Sequence, residues 1–97
     1  MANEEMLRII TTYLHSQPVL KAYLFGSYAR NEEDEKSDID LLMEFESGVT
    51  LLNVARIIND LEDALHKKVD VVSTGGLSPR LKPYIDKDKI LIYEKAA

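Results

Sequence analysis

The sequence contains no cysteine, which excludes a disulfide frame, a thiolate zinc site and a cysteine nucleophile. No apolar run approaches the roughly 18 residues that a membrane helix needs. The start (Asn3, Glu4, Glu5) is acidic, the wrong charge for a secretory signal. A cytoplasmic chain with no membrane partner is expected. Basic residues are the minority, 12 Lys and Arg against 17 Asp and Glu, for a formal net charge of −5. Non-specific nucleic-acid binding depends on cations that neutralise phosphates, so no direct nucleic-acid contact is expected either. Internal repeats, linkers and low-complexity stretches are also missing. Residues 1–97 are expected to form a single domain, long enough for a core but too short for a second substrate-binding domain.

What is present is a soluble globular composition, 45% hydrophobic and 30% charged. Residues 4 to about 16 read as an amphipathic helix. Asn3 is its candidate cap, Met6, Ile9, Ile10, Tyr13 and Leu14 form one stripe, and Pro18 ends it. An apolar run from Val19 to Phe25 reads as a buried strand that stops at Gly26. Asn31 to Ser37 is polar throughout and reads as a mobile surface loop. A second strand is expected over Ile39–Phe45, closed by Ser47-Gly48.

From Thr50, a plausible cap, a helix is expected to about His66. Leu51, Val54, Ala55, Ile58, Leu61 and Leu65 cover an arc of ~120° as its core stripe, with Leu52 and Ile57 outside. Val69–Ser73 reads as a third strand and Gly75-Gly76 as a flexible turn. A short helix is expected from Ser78-Pro79, and Ile90–Tyr93 as a last strand. The pattern is that of a mixed α/β (α+β) domain, a small mixed sheet flanked by helices.

The chemistry gathers around two short stretches. In a strand beginning at Ile39, alternation puts Asp38 and Asp40 on one face and Ile39, Leu41, Met43 and Phe45 on the other. Two carboxylates ~7 Å apart at an effective dielectric of ~20 repel by about 2–3 kcal/mol. A divalent cation between them relieves that cost, and hard oxygen ligands suit Mg²⁺. Upstream, Gly26 permits a sharp turn with close backbone approach. Ser27 is a candidate cap for a short helix through Tyr28, Ala29 and Arg30, whose free N–H groups suit an anion. Gly26-Ser27 lies at the exit of the first strand and Asp38 at the entry of the second, so the two meet only if those strands run antiparallel. Asp70 joins them only if the second and third strands are parallel, and the helix after Thr50 supplies the crossover that parallel neighbours need. Three carboxylates, two Mg²⁺ ions and a triphosphate are the parts of in-line nucleotidyl transfer. Asp70 is the candidate to assist deprotonation of the attacking hydroxyl. With eight aspartates in the chain, a bare D-x-D arises about once by chance, so the weight lies on the combined spacing.

That combination, Gly26-Ser27, Arg30 three residues on, Asp38-x-Asp40 and Asp70 in Val-Asp-Val-Val, resembles the minimal nucleotidyltransferases of the DNA polymerase beta superfamily over essentially the whole chain. Where the family commonly has Gly after the arginine this chain has Asn31, a residue that tolerates the left-handed region. The resemblance implies a polymerase-beta-like nucleotidyltransferase fold. Asp38, Asp40 and Asp70 are then the catalytic and metal-binding residues, and Gly26, Ser27, Arg30 and Ser37 the nucleotide- and phosphate-binding ones. It further implies ATP as substrate, and an antitoxin role in which AMP is transferred to a tyrosine hydroxyl of a partner HEPN-domain toxin. Two other readings stay open: a silent binding module that neutralises the partner by occlusion, and a small-molecule nucleotidyltransferase that completes its acceptor site as a homo-oligomer.

Overall fold

The computed structural model describes residues 3–96. The elements are α1 (Asn3–Leu14), β1 (Val19–Phe25), β2 (Ile39–Phe45), α2 (Leu51–Leu65), β3 (Val69–Ser73), α3 (Lys82–Asp88) and β4 (Ile90–Glu94), with a 3₁₀ turn at Thr74–Gly76. The strands form one mixed sheet in the order β3-β2-β1-β4. As the site chemistry required, β1 is antiparallel to β2, and β2 is parallel to β3. β1 also pairs antiparallel with β4, which becomes an edge of the sheet.

The alternation read in β2 is what orients the sheet. Ile39, Leu41 and Met43 are fully buried and join Val19, Ala22, Leu24 and Val69 in the main core. Helices α1 and α2 close that face, α1 through Met6, Ile10 and Leu14, one residue per turn. The Tyr13 hydroxyl donates to Asp60 Oδ2 at 2.6 Å and ties the two helices together. Leu42, which alternates to the other face, is also buried but stands outside the main cluster, as does Ile85 of α3. Helix α3 packs on β1 on that side, and Lys89 just after it lies over the Tyr23 ring at 4.9 Å. α3 thereby covers the β1 part of the second face, and Asp40, on the same face, is half-buried on its open side.

Several local expectations need correction. α1 ends at Leu14 rather than near residue 16, because the Ser16 and Gln17 N–H groups turn back to the Tyr13 and Leu14 carbonyls. The cap assigned to Asn3 rests on a side chain outside the described ones, the Asn3 backbone being already part of α1. On α2 the buried side chains are Ile57, Leu61 and Leu65, so Ile57 belongs to the core, and Ala55 is exposed. The stripe is rotated toward Ile57, and only the later turns of α2 rest on the core. Leu51 and Leu52, 87% and 83% exposed, project beyond it. The start of α2 is as expected, a capping box in which Thr50 and Asn53 satisfy each other's backbone N–H. α3 starts at Lys82, not at Ser78-Pro79. The Ser78 hydroxyl accepts from Arg80 N–H in a separate turn, and Pro83 sits in the first turn of the helix, where its missing N–H costs nothing. Gly75-Gly76 belongs to the 3₁₀ turn, pinned by Gly75 N–H donating to Ser73 Oγ.

Candidate active site

The edge of the open face is built by the register of β1, β2 and β3. Asp40 stands opposite Asp70 on the parallel side and opposite Phe25 on the antiparallel side. Residues directly paired across a sheet share a face, so Asp40 and Asp70 project from the same side, and Asp38 precedes Asp40 by two positions on the same alternation. Asp38 and Asp40 are half-buried and Asp70, on the edge strand, is exposed. Electrostatics records their proximity. The Asp40 carboxyl is pushed up from 3.8 to about 6, first by burial, then by the charge of Asp70 and that of Asp38, against a smaller opposing pull from Arg30. Among the described residues no group of three or more His, Cys, Asp or Glu side chains is placed so that it could hold a metal ion. The carboxylates share one face of the sheet, and the charges of Asp70 and Asp38 act on Asp40.

Gly26 is fitted to this arrangement. Its φ of +76° is left-handed, and a Cβ there would stand 2.2 Å from Asp40 Oδ2. Any side chain here would take a strained backbone conformation and force the Asp40 carboxylate aside. Beyond it, Ser27–Arg30 make one isolated helical turn rather than a helix. Ala29 and Arg30 N–H both donate to the Gly26 carbonyl, and Ser27 makes no side-chain capping bond among the described residues. Asn31 has a φ of 57°, in the left-handed region that asparagine tolerates. Arg30 donates from Nε to Glu32 Oε1 at 2.8 Å and from Nη1 to Asp88 Oδ2 at 2.6 Å.

The structure brings Gly26, Arg30, Asp38, Asp40 and Asp70 to one end of the sheet. Ser37 is differently engaged. Its hydroxyl accepts from Asp34 N–H at 2.9 Å and closes the acidic loop, with Asp34 Oδ1 accepting from Lys36 N–H. That loop is thus tied by its own side chains. Glu32, Asp34 and Glu35 face solvent, whereas Glu33 turns inward beside the cavity lined by Tyr28, Glu33, Asp34, Glu35 and Lys67. None of the three aspartates lines that cavity.

Two residues with a positional role carried no signal in the sequence. Glu62 accepts from Val69 N–H at 2.9 Å and so fixes the entry of β3, one residue before Asp70. It lies on the polar side of α2, where a carboxylate is unremarkable. Asp88 reaches Arg30 from 58 residues away, a separation no local pattern encodes.

The chain is similar to known proteins in sequence and in fold. A Methanocaldococcus jannaschii protein, provisionally named a protein adenylyltransferase, is 46% identical over 81 residues, covering 84% of this chain and 87% of its own. A solved structure provisionally named a minimal nucleotidyltransferase superposes with a TM-score of 0.79 at 38% identity, over 91% of this chain and 90% of that one. The fold also matches a Shewanella oneidensis complex of a tri-AMPylated HEPN toxin with an MNT antitoxin, at a TM-score of 0.71 and 21% identity over 98% of this chain and 74% of that one. The family model described as polymerase beta, nucleotidyltransferase matches residues 8–97, and with so much of the chain inside it the protein belongs to the polymerase beta nucleotidyltransferase family.

Proposed function

We propose that the chain is a Mg²⁺-dependent adenylyltransferase that moves AMP from ATP to a hydroxyl, a tyrosine hydroxyl above all, of a partner HEPN-domain toxin, and so acts as an antitoxin. The observation that carries this reading is the pairing of Asp40 with Asp70 across parallel strands, with the Gly26 backbone against the Asp40 carboxylate. The kinship with named adenylyltransferases supports the reaction type, and the toxin–antitoxin assemblies that share the fold support the kind of acceptor.

Asp38, Asp40 and Asp70 offer the hard oxygen set that would hold the metal, and their mutual repulsion on one face fits them to a divalent cation. When bound, Mg²⁺ supplies charge stabilisation at the reacting phosphate and a lowered pKa for a hydroxyl. The residues of the chain do the rest. Gly26 lets the Asp40 carboxylate lie against the backbone; the Ser27 and Tyr28 N–H groups, which are not bonded back to the Gly26 carbonyl as those of Ala29 and Arg30 are, and the Arg30 guanidinium are suited to the triphosphate oxygens. Asp70, the most exposed of the three, is open to an incoming acceptor and assists in taking its proton. The acceptor oxygen forms a bond to the α-phosphorus, the bond from that phosphorus to the bridging oxygen breaks, and pyrophosphate leaves.

Purified chain, Mg²⁺, ATP labelled at the α-phosphate and a HEPN-domain toxin are expected to give labelled toxin. Asp38→Asn and Asp40→Asn are each expected to lower transfer by at least about a hundredfold. Full neutralisation of the toxin by the doubly substituted chain, with no label transferred by wild type, would replace this reading with occlusion.

A further inference from the structure

Arg30 is the cation of the phosphate side, and its aim decides what it can bind. A long arginine on a single isolated turn has many rotamers, and ordering it costs entropy. Here two of its donors are already committed, Nε to Glu32 on the same loop and Nη1 to Asp88 at the last position of α3. The two partners differ in kind. Glu32 is a neighbour in sequence and its side chain is 64% exposed, whereas Asp88 is distant in sequence and only 15% exposed. Asp88 is also the better anchored. Its helix is buried through Ile85, braced by Asp86 bonded to both Lys82 and Lys89, and held to the sheet by Lys89 over Tyr23. The gripped guanidinium keeps its Nη2 donors without a protein partner among the described residues, and it lies near enough to Asp40 to be felt there.

We infer that Asp88 is a positioning residue for nucleotide binding: it holds the Arg30 guanidinium ready beside the carboxylate face and so makes α3 part of the triphosphate site. This rests on the reading of Arg30 as a phosphate ligand given above. A preordered guanidinium binds a phosphate without first having to be ordered, so the benefit of Asp88 is passed entirely through Arg30.

The test is a cycle of Asp88→Asn, Arg30→Ala and the double variant in the full chain. ATP affinity is measured in Mg²⁺, and Arg30 Nε–H order is followed by NMR without nucleotide. Asp88→Asn is expected to weaken ATP binding about tenfold and to loosen the Arg30 Nε–H. The double variant is expected to bind no more weakly than Arg30→Ala alone, and Asp88→Glu to recover part of the loss. Equal or tighter ATP binding by Asp88→Asn, or losses that add in the double variant, would overturn the inference and leave the nucleotide reading intact. Failure of the wild-type chain to bind ATP would overturn the nucleotide reading and this inference with it.

Discussion

Asp40 carries a cost that its burial creates and its neighbours add to. With its carboxyl raised from 3.8 to about 6 by burial, Asp70 and Asp38, the folded chain holds this proton more tightly than the unfolded chain does. Ionisation of Asp40 therefore opposes folding at every pH above the folded value, and the penalty fades as pH falls from about 6 to about 4. Discounted for partial exposure, it amounts to about 1–2 kcal/mol. Asp40→Asn is expected to be more stable than wild type by about that much near neutral pH without metal, with the difference gone near pH 4. Urea melts at the two pH values measure it, and an Asn variant less stable at neutral pH would show that the charge is instead stabilised in the fold. On the proposed function, Asp40 is a group kept at the expense of stability.

At the scale of the element, α2 shows how a helix is rotated by what it packs on. Its pattern admits two neighbouring stripes, one through Ile58 and Ala55 and one through Ile57, and both are apolar. The core takes the second, with Ile57, Leu61 and Leu65 buried at four-residue spacing. Ile57→Ala is expected to cost about 2–5 kcal/mol in urea unfolding, whereas Leu51→Ser, on the projecting first turn, is expected to stay within about 0.5 kcal/mol of wild type. A large loss at Leu51 would restore the stripe read from periodicity.

Over the whole molecule the core and the carboxylates lie on opposite faces of one sheet. The main cluster is closed by α1 and α2, and the aspartates project from the other side. Nothing in the core depends on a metal, so chelation with EDTA is expected to abolish transfer and to leave the chain folded, lowering the unfolding temperature only by what the loss of a bound ion costs. Mg²⁺ with ATP should raise that temperature by mass action. Circular dichroism melts with and without EDTA check this, and unfolding on chelation would mean that the metal is structural.

The sequence by itself determined the strands, the crossover and the motif, because each is written in residues close together. An apolar run ending at Gly26, the alternation from Ile39 to Met43 and the capping box at Thr50 all act through neighbours, and the requirement that Gly26, Asp38 and Asp70 meet implied the directions of β1, β2 and β3. Only the tertiary structure decided the rest. It placed β4 beside β1, rotated α2 toward Ile57, brought Asp88 to Arg30 and set the Asp40 carboxylate where a Cβ on Gly26 would stand. Those contacts join residues far apart in the chain, and their energies depend on volumes and distances that exist only once the sheet is packed.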